Sequence, residues 1–442
     1  MARILFGIYP AWGHAAATVA LAQELTRRGH VVAYASHPSL RPQMEGAGLE
    51  LIKDFQWGEI PVKVQEALRR DGNNLALLLR ICKGDPTHSF LDDLDQGIGD
   101  FRRVIHAWKP DLVVNDILFH VGAIAAEVEK IPHATSCPTI LPSTITPGFP
   151  PLGWGFSPRA AKNWRWRMGD WGTALFHRRA NRWLNRARRH CGLAPTAHAF
   201  MRFSDYLGLA YTTEALEYER PNLPEQIHYI GPSISTQRGE DKIPFPWDWL
   251  DDRPLVLVSL GTIFNGSKKF FVKVMEASRG QPWQAVAKTS EYMNTENWRN
   301  IPENVRFVPF IPQLTLLKRA RAMVSHAGVN TVIEALSEGV PLVLAPAGAD
   351  QPDCAQRVVD AGAGLKINLA RVTAGELRQS IQRALDEPAF RAGARRVADD
   401  FARCDGTRIG ADLLERLLET KRPVLRAAGQ KPTIYAATSS PS

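Results

Sequence analysis

Three short strings in the second half of this chain hold side chains suited to gripping a phosphorylated sugar. Phe310-Ile-Pro-Gln313 offers a flat ring face beside a carboxamide. His326-Ala-Gly328-Val-Asn330-Thr331 stands between the apolar run Ala322 to Ser325 and the helical Val-Ile-Glu334-Ala-Leu. A helix start exposes unpaired N–H groups and the positive end of the dipole, so a diphosphate can rest on the Gly328 to Thr331 amides. His326, Asn330 and Thr331 add side-chain donors, and Glu334, one turn on, can accept from ribose hydroxyls. Gly348-Ala-Asp350-Gln351 follows the apolar run Pro341 to Ala345 and sets two polar side chains on a loop, within reach of sugar hydroxyls. Taken singly, each residue also has an ordinary structural explanation: a helix cap, a buried ring, a solvated loop or a solvated helix face.

A second group lies near the N-terminus. Trp12-Gly13-His14 sits where an apolar run (Arg3 to Tyr9) hands over to a helix pattern from Ala15 to Arg28. Asp116 ends another apolar run, Asp111-Leu-Val-Val-Asn-Asp116. An imidazole can take a proton near neutrality, and a carboxylate on its other nitrogen fixes the tautomer and stabilises the charged ring. The plain alternatives are a loop histidine and a helix cap.

The elements that must position these groups follow a strand, helix, strand rhythm, which predicts parallel α/β sheets with their sites at the carboxyl ends of strands. The same rhythm restarts at Pro254-Leu-Val-Leu-Val-Ser-Leu-Gly-Thr262. The expectation is an N-terminal Rossmann-like domain over 1–229 with a basic, aromatic helical insertion at 154–192. A Pro-rich linker over 230–254 leads to a second Rossmann-like domain over 255–405, a closing helix over 406–422 and a frayed tail over 423–442. Two doubly wound sheets facing a cleft would let two substrates meet.

Composition narrows the function. Hydrophobic residues at 45% and charged residues at 22% describe a globular chain able to bury a large core. Five scattered cysteines form neither a disulfide framework nor a zinc ligand set. No apolar run reaches spanning length, so a cytoplasmic chain is expected, peripheral to the inner membrane face at most. The formal charge is +9, but residues 151–192 alone hold ten Lys or Arg against one acid, Asp170, so the rest is balanced and nucleic-acid binding loses its support. Gly261 to Lys268 has nearly P-loop spacing, but its Ser267-Lys268 order is reversed, and no Gly-x-Gly-x-x-Gly follows the first strand. ATPase and hydride-transfer chemistry are set aside.

Read in order, the strings (aromatic-x-Pro-Gln, His-x-Gly-x-Asn-Thr, Glu, Gly-Val-Pro, Asp-Gln-Pro) resemble the donor-binding signature of UDP-glycosyltransferases with the GT-B fold. Members act in plant secondary metabolism and on bacterial macrolides. The resemblance implies an inverting transfer of a hexose, with glucose expected, from a UDP-sugar to a hydroxyl of a hydrophobic small molecule, without cofactor or metal. By similarity, Phe310 stacks on the base where the family usually has Trp, and Gln313 with Glu334 contacts the nucleoside. His326, Gly328, Asn330 and Thr331 hold the diphosphate, with Thr262 nearby, while Asp350 and Gln351 hold the sugar. His14 would be the base and Asp116 its partner, although Ala17 stands where the family's Gly-His-x-x-Pro has proline. A noncatalytic nucleotide-sugar binder and a nucleotide-sugar epimerase of the same fold remain as alternatives, as does dTDP in place of UDP.

Five of the twelve tryptophans (Trp154, Trp164, Trp166, Trp171, Trp183) share the basic segment. Rings at helical spacing with Arg between them fit a helix lying on an anionic membrane, the mouth of a greasy acceptor site, or a lid with a basic outer face.

Overall fold

The computed structural model of the chain describes residues 1–55, 57–58, 62, 90–146, 148–238, 244–261, 267–289, 293, 295 and 298–436, with the side chains of 90–93 and 144 left aside. Among them are two parallel sheets. The first contains β1 (Arg3–Gly7), β2 (Val31–Ala35), β3 (Glu50–Leu51), β4 (Leu112–Asp116), β5 (His133–Cys137), β6 (Leu207–Ala210) and β7 (Ile227–Tyr229) in spatial order 3-2-1-4-5-6-7. The second contains β8 (Leu255–Ser259), β9 (Gln284–Lys288), β10 (Val305–Val308), β11 (Ala320–Ser325), β12 (Leu342–Leu344) and β13 (Gly364–Lys366) in order 10-9-8-11-12-13. Both orders are doubly wound, as two Rossmann-like domains require.

Continuous apolar strands are what a sheet covered on both faces demands. Ile4, Leu5 and Phe6 of β1 and Leu255 to Val258 of β8 are all buried. In each sheet the winding reverses once, between β1 and β4 and between β8 and β11. Gly7 is in register with Asn115, and Ser259 with Ser325. Crevices open at such reversals, beyond the strand carboxyl ends. His14 and Asp116 lie at the first, His326 at the second.

Six helices matter for the site: α1 (Trp12–Arg27), α2 (His120–Val128), α3 (Trp164–His190), α4 (Val329–Ser337), α5 (Gln351–Asp360) and α6 (Gly406–Thr420). The small residues Ala15, Ala16 and Ala17 are buried, letting α1 lie close to its neighbours. α6 packs on α1, across the halves. Arg28, at the end of α1, reaches Asp412 at 2.7 Å and Glu415 at 2.6 Å, and His30 reaches Glu415 at 3.0 Å. One apolar cluster accordingly runs through both halves, from Ile4 to Val424.

The chain crosses between the halves twice, and the crossings touch. A Cβ on Gly231 would come within 2.3 Å of the Cys404 Cβ, and one on Gly406 within 2.3 Å of the Pro232 carbonyl oxygen.

The frayed tail expected after residue 422 is corrected as far as residue 436. Val424 donates its amide to the Tyr206 carbonyl at 2.8 Å, Arg426 donates to the Leu223 and Ile227 carbonyls, and Thr433 bridges to Tyr229. Arg403 stacks on Tyr435 at 3.9 Å, and the Tyr435 hydroxyl bonds Asp400. β7 is an edge strand whose free backbone groups recruit this segment. Polar composition carries no trace of that. Removing residues 423–442 deletes the buried Val424 and strips these bonds, about 2–3 kcal/mol in all. Calorimetry should show the unfolding midpoint lowered by about 5 °C.

Candidate active site

His14 lies in the first turn of α1 and Asp116 at the end of β4, 102 residues away. Their side chains meet at 2.7 Å, His14 Nδ1 to Asp116 Oδ2. Asp116 Oδ1 accepts the Leu118 amide at 2.8 Å, so the carboxylate is anchored from both sides. Tyr9 tilts against the imidazole at 5.2 Å between ring centroids. Nε2 is thereby the ring nitrogen available to a ligand. Burial alone would favour the neutral ring, but the charge and hydrogen bond of Asp116, with the Asp350 charge behind them, hold the His14 pKa above its ordinary value.

Asp350 belongs to the other half and faces His14 closely enough for each to feel the other's charge. Burial lifts the Asp350 pKa, and the charge on His14 opposes only part of that rise. The preceding Ala349 has a positive φ of 55°, a strained turn that delivers Asp350 to the cleft. Gln351 turns inward: its carbonyl oxygen accepts the Ala347 and Gly348 amides at 2.8 and 3.2 Å. It braces the sugar-side loop, leaving only its NH₂ for a ligand.

At the second reversal, the chain leaves β11, passes Ala327 at φ 67° and enters α4 with Gly328 as its N-cap and no side chain capping the turn. The first amides of α4 are thus unmatched by any cap. His326 is wedged between two glycines: a Cβ on Gly261 would come within 2.4 Å of its Cε1, and one on Gly328 within 2.5 Å of its Nε2. Burial pushes the His326 pKa down to about 4, so the ring is a neutral donor there and not a cation. Asn330 spans the cleft and donates to the Gly13 carbonyl. Thr331 is half-buried beside it.

Glu334 is buried, and Gln313 Nε2 donates to its Oε2 at 2.6 Å. Its other oxygen accepts from Arg238 Nη1 at 2.7 Å. Glu334 is therefore not the open acceptor imagined from the string; a ribose would have to share it with Arg238. Both residues line a cavity between α1 and α4, together with Ala16, Ala17, Tyr211 and Asn330. Phe310 stands at the rim, 50% exposed, a ring with an open face. Thr262 lies outside the described residues.

Three residues of the site carried no sequence expectation. Arg238 is one. Asp353, in the first turn of α5, accepts the Gly153 and Gly155 amides at 2.5 and 2.6 Å, tying the Pro-rich loop before α3 to the sugar-side helix. Burial raises its pKa to about 6 in spite of those bonds. Arg357, one turn on, reaches Glu217 of the first half at 2.7 Å. The Asp-Gln-Pro string ran straight into Asp353, but nothing local names a partner two hundred residues away.

An imidazole on an anchored carboxylate, a carboxyl group facing it and an uncapped helix start beside a neutral imidazole can together deprotonate a hydroxyl and receive an anion. The two histidines should behave oppositely in an NMR titration of ring nitrogens. His14 should titrate above about 6.5 and His326 only near about 4. Asp116→Asn should bring His14 down and leave His326 unmoved. A His326 that titrates near neutrality would contradict its sealed seat.

Known proteins align with this arrangement. Residues 285–415 match the family described as erythromycin biosynthesis protein CIII-like, C-terminal domain. 4'-Demethylrebeccamycin synthase of Lentzea aerocolonigenes is 29% identical over 428 residues, 94% of this chain and 100% of that protein. Demethyllactenocin mycarosyltransferase of Streptomyces fradiae is 28% identical, over 95% of this chain and 87% of that one. The solved glycosyltransferase of kitacinnamycin superposes with a TM-score of 0.72 at 23% identity, covering 94% of this chain and 99% of the other. With two doubly wound sheets facing a cleft, the chain has the GT-B fold, and along nearly its whole length it is similar to glycosyltransferases of natural-product biosynthesis.

Proposed function

We propose that this chain moves a hexose, glucose in the first instance, from a UDP-sugar to a hydroxyl of a hydrophobic small molecule, inverting the anomeric centre. The reading rests above all on the 2.7 Å contact of His14 with Asp116 across the cleft from an uncapped helix start. His14 Nε2 takes the acceptor proton as the oxygen attacks the anomeric carbon. The bond from that carbon to the diphosphate breaks on the opposite face, and the proton ends on His14, stabilised by Asp116. One displacement gives one inversion.

The departing diphosphate is received by the Gly328 to Thr331 amides and by the neutral His326, with Asn330 freed from Gly13 as the donor enters. Asp350 and the Gln351 NH₂ hold sugar hydroxyls, and Phe310 offers its open face to the base. These donors meet the leaving charge, so no metal is called for in the proposal; chelation with EDTA should leave the rate unchanged. A dTDP donor is the second reading. Arg238 already occupies one Glu334 oxygen, which lessens what a ribose 2′-hydroxyl would gain.

The acceptor is a hydrophobic hydroxylated natural product of the polyketide, carotenoid or sterol-like kind, a reading supported by relatives named for rebeccamycin and lactenocin products. A noncatalytic binder or an epimerase would transfer no label, so the deciding assay follows sugar-labelled UDP-glucose and dTDP-glucose into a panel of such acceptors. Label in the acceptor, linked with inverted configuration by anomeric coupling, is the expected outcome. His14→Ala should lower turnover by about 10²–10⁴-fold with folding intact.

The pH profile gives an independent check. The base must be neutral to act, and the His14 pKa is raised, so kcat/KM should fall as pH drops through a value above about 6.5. Asp116→Asn should move this acid limb to lower pH while reducing the plateau. A limb that stays in place would mean another base.

A further inference from the structure

The outward face of α3 consists of two surfaces laid end to end. Its inward side, including Trp166, His177, Ala180, Leu184 and Ala187, is buried against the first half. At helical spacing, Trp164, Met168, Trp171 and Leu175 fall on the opposite side as one stripe, 68%, 53%, 72% and 56% exposed. The same stripe continues as Arg178, Arg182, Arg186 and Arg189, all exposed. A helix of 27 residues thus shows water about three turns of apolar surface and then about three of guanidinium. Asp170, its one acid, lies on the flank.

The four apolar side chains expose on the order of 500 Å², the size at which a surface patch marks an interaction site. That falls short of the roughly 800 Å² per partner that a stable dimer buries. A second copy would also bring four guanidinium groups toward a chain of formal charge +9. An anionic bilayer meets both halves of the stripe. Indole rings favour the headgroup level, guanidinium forks fit phosphate, and an apolar anchor beside a basic patch supplies the two contributions that lasting surface attachment needs.

We propose that the outward face of α3 docks on an anionic lipid bilayer, with Trp164, Met168, Trp171 and Leu175 entering the headgroup region and Arg178, Arg182, Arg186 and Arg189 lying along lipid phosphates. The proposal is independent of the donor and the acceptor of the reaction.

The test is co-sedimentation of the full chain with vesicles of phosphatidylcholine alone and of phosphatidylcholine with about one-third phosphatidylglycerol, a fraction high enough to give a strong negative surface potential. The chain should pellet with the anionic vesicles and bind neutral ones at least about 10-fold more weakly, with the difference shrinking at high salt. Arg178→Gln, Arg182→Gln and Arg186→Gln combined should weaken binding by about 100-fold, and Trp164→Ser with Trp171→Ser by at least about 10-fold. These side chains are exposed, so an unchanged unfolding midpoint would certify the fold of each variant. Protein left in the supernatant with both vesicles, or variants that bind as well as the parent, overturns the proposal. So does a dimeric mass in light scattering that the Trp variants abolish, which would give the face to a second copy.

Discussion

Two buried carboxylates hold the halves of this enzyme in register, each taking its counter-charge from across the cleft. Glu217 of the first half accepts Arg357 of the second at 2.7 Å, and Glu334 of the second accepts Arg238, which follows the first sheet, at the same distance. Burial alone would lift the Glu217 pKa, yet Arg357 and Arg220 hold it below the usual carboxylate range. Removing one partner from such a pair leaves an uncompensated charge, at about 3–5 kcal/mol. The closed arrangement that sets Asp350 opposite His14 depends on these contacts, since neither half can build the site alone.

The same side chain does opposite work at the two sheet reversals. His14, on an anchored carboxylate, is held ready to accept a proton; His326, sealed between Gly261 and Gly328 without a comparable acid, is kept neutral. Environment alone separates their pKa values.

Much of this was legible in the amino-acid sequence because it is local. Apolar runs such as Leu255 to Val258 mark buried parallel strands, and the ends of those runs locate His14, Asp116 and His326 without reference to anything distant. Gln313 and Glu334, assigned by the resemblance to one nucleoside, turn out to bond each other. What escaped is what the chain makes by folding back on itself. Arg238 sits in a stretch that reads as linker, Asp353 in a loop that reads as solvated, and residues 423–436 as tail. Their partners lie from 96 to more than 200 residues away, so no spacing or periodicity records them. The outward stripe of α3 was half visible: helical period revealed the rings, but only packing decides that Trp166 turns in while Trp164 and Trp171 turn out.

The touching crossings at Gly231 and Gly406 limit how the two lobes can separate. A single tether would let them slide, twist or drift apart; two tethers pressed side by side make a pin. Relative movement of the lobes is then most restricted near Pro232 and Cys404. A bulkier residue at either glycine would force the crossings apart and so disturb how the lobes face each other, far from the cleft itself.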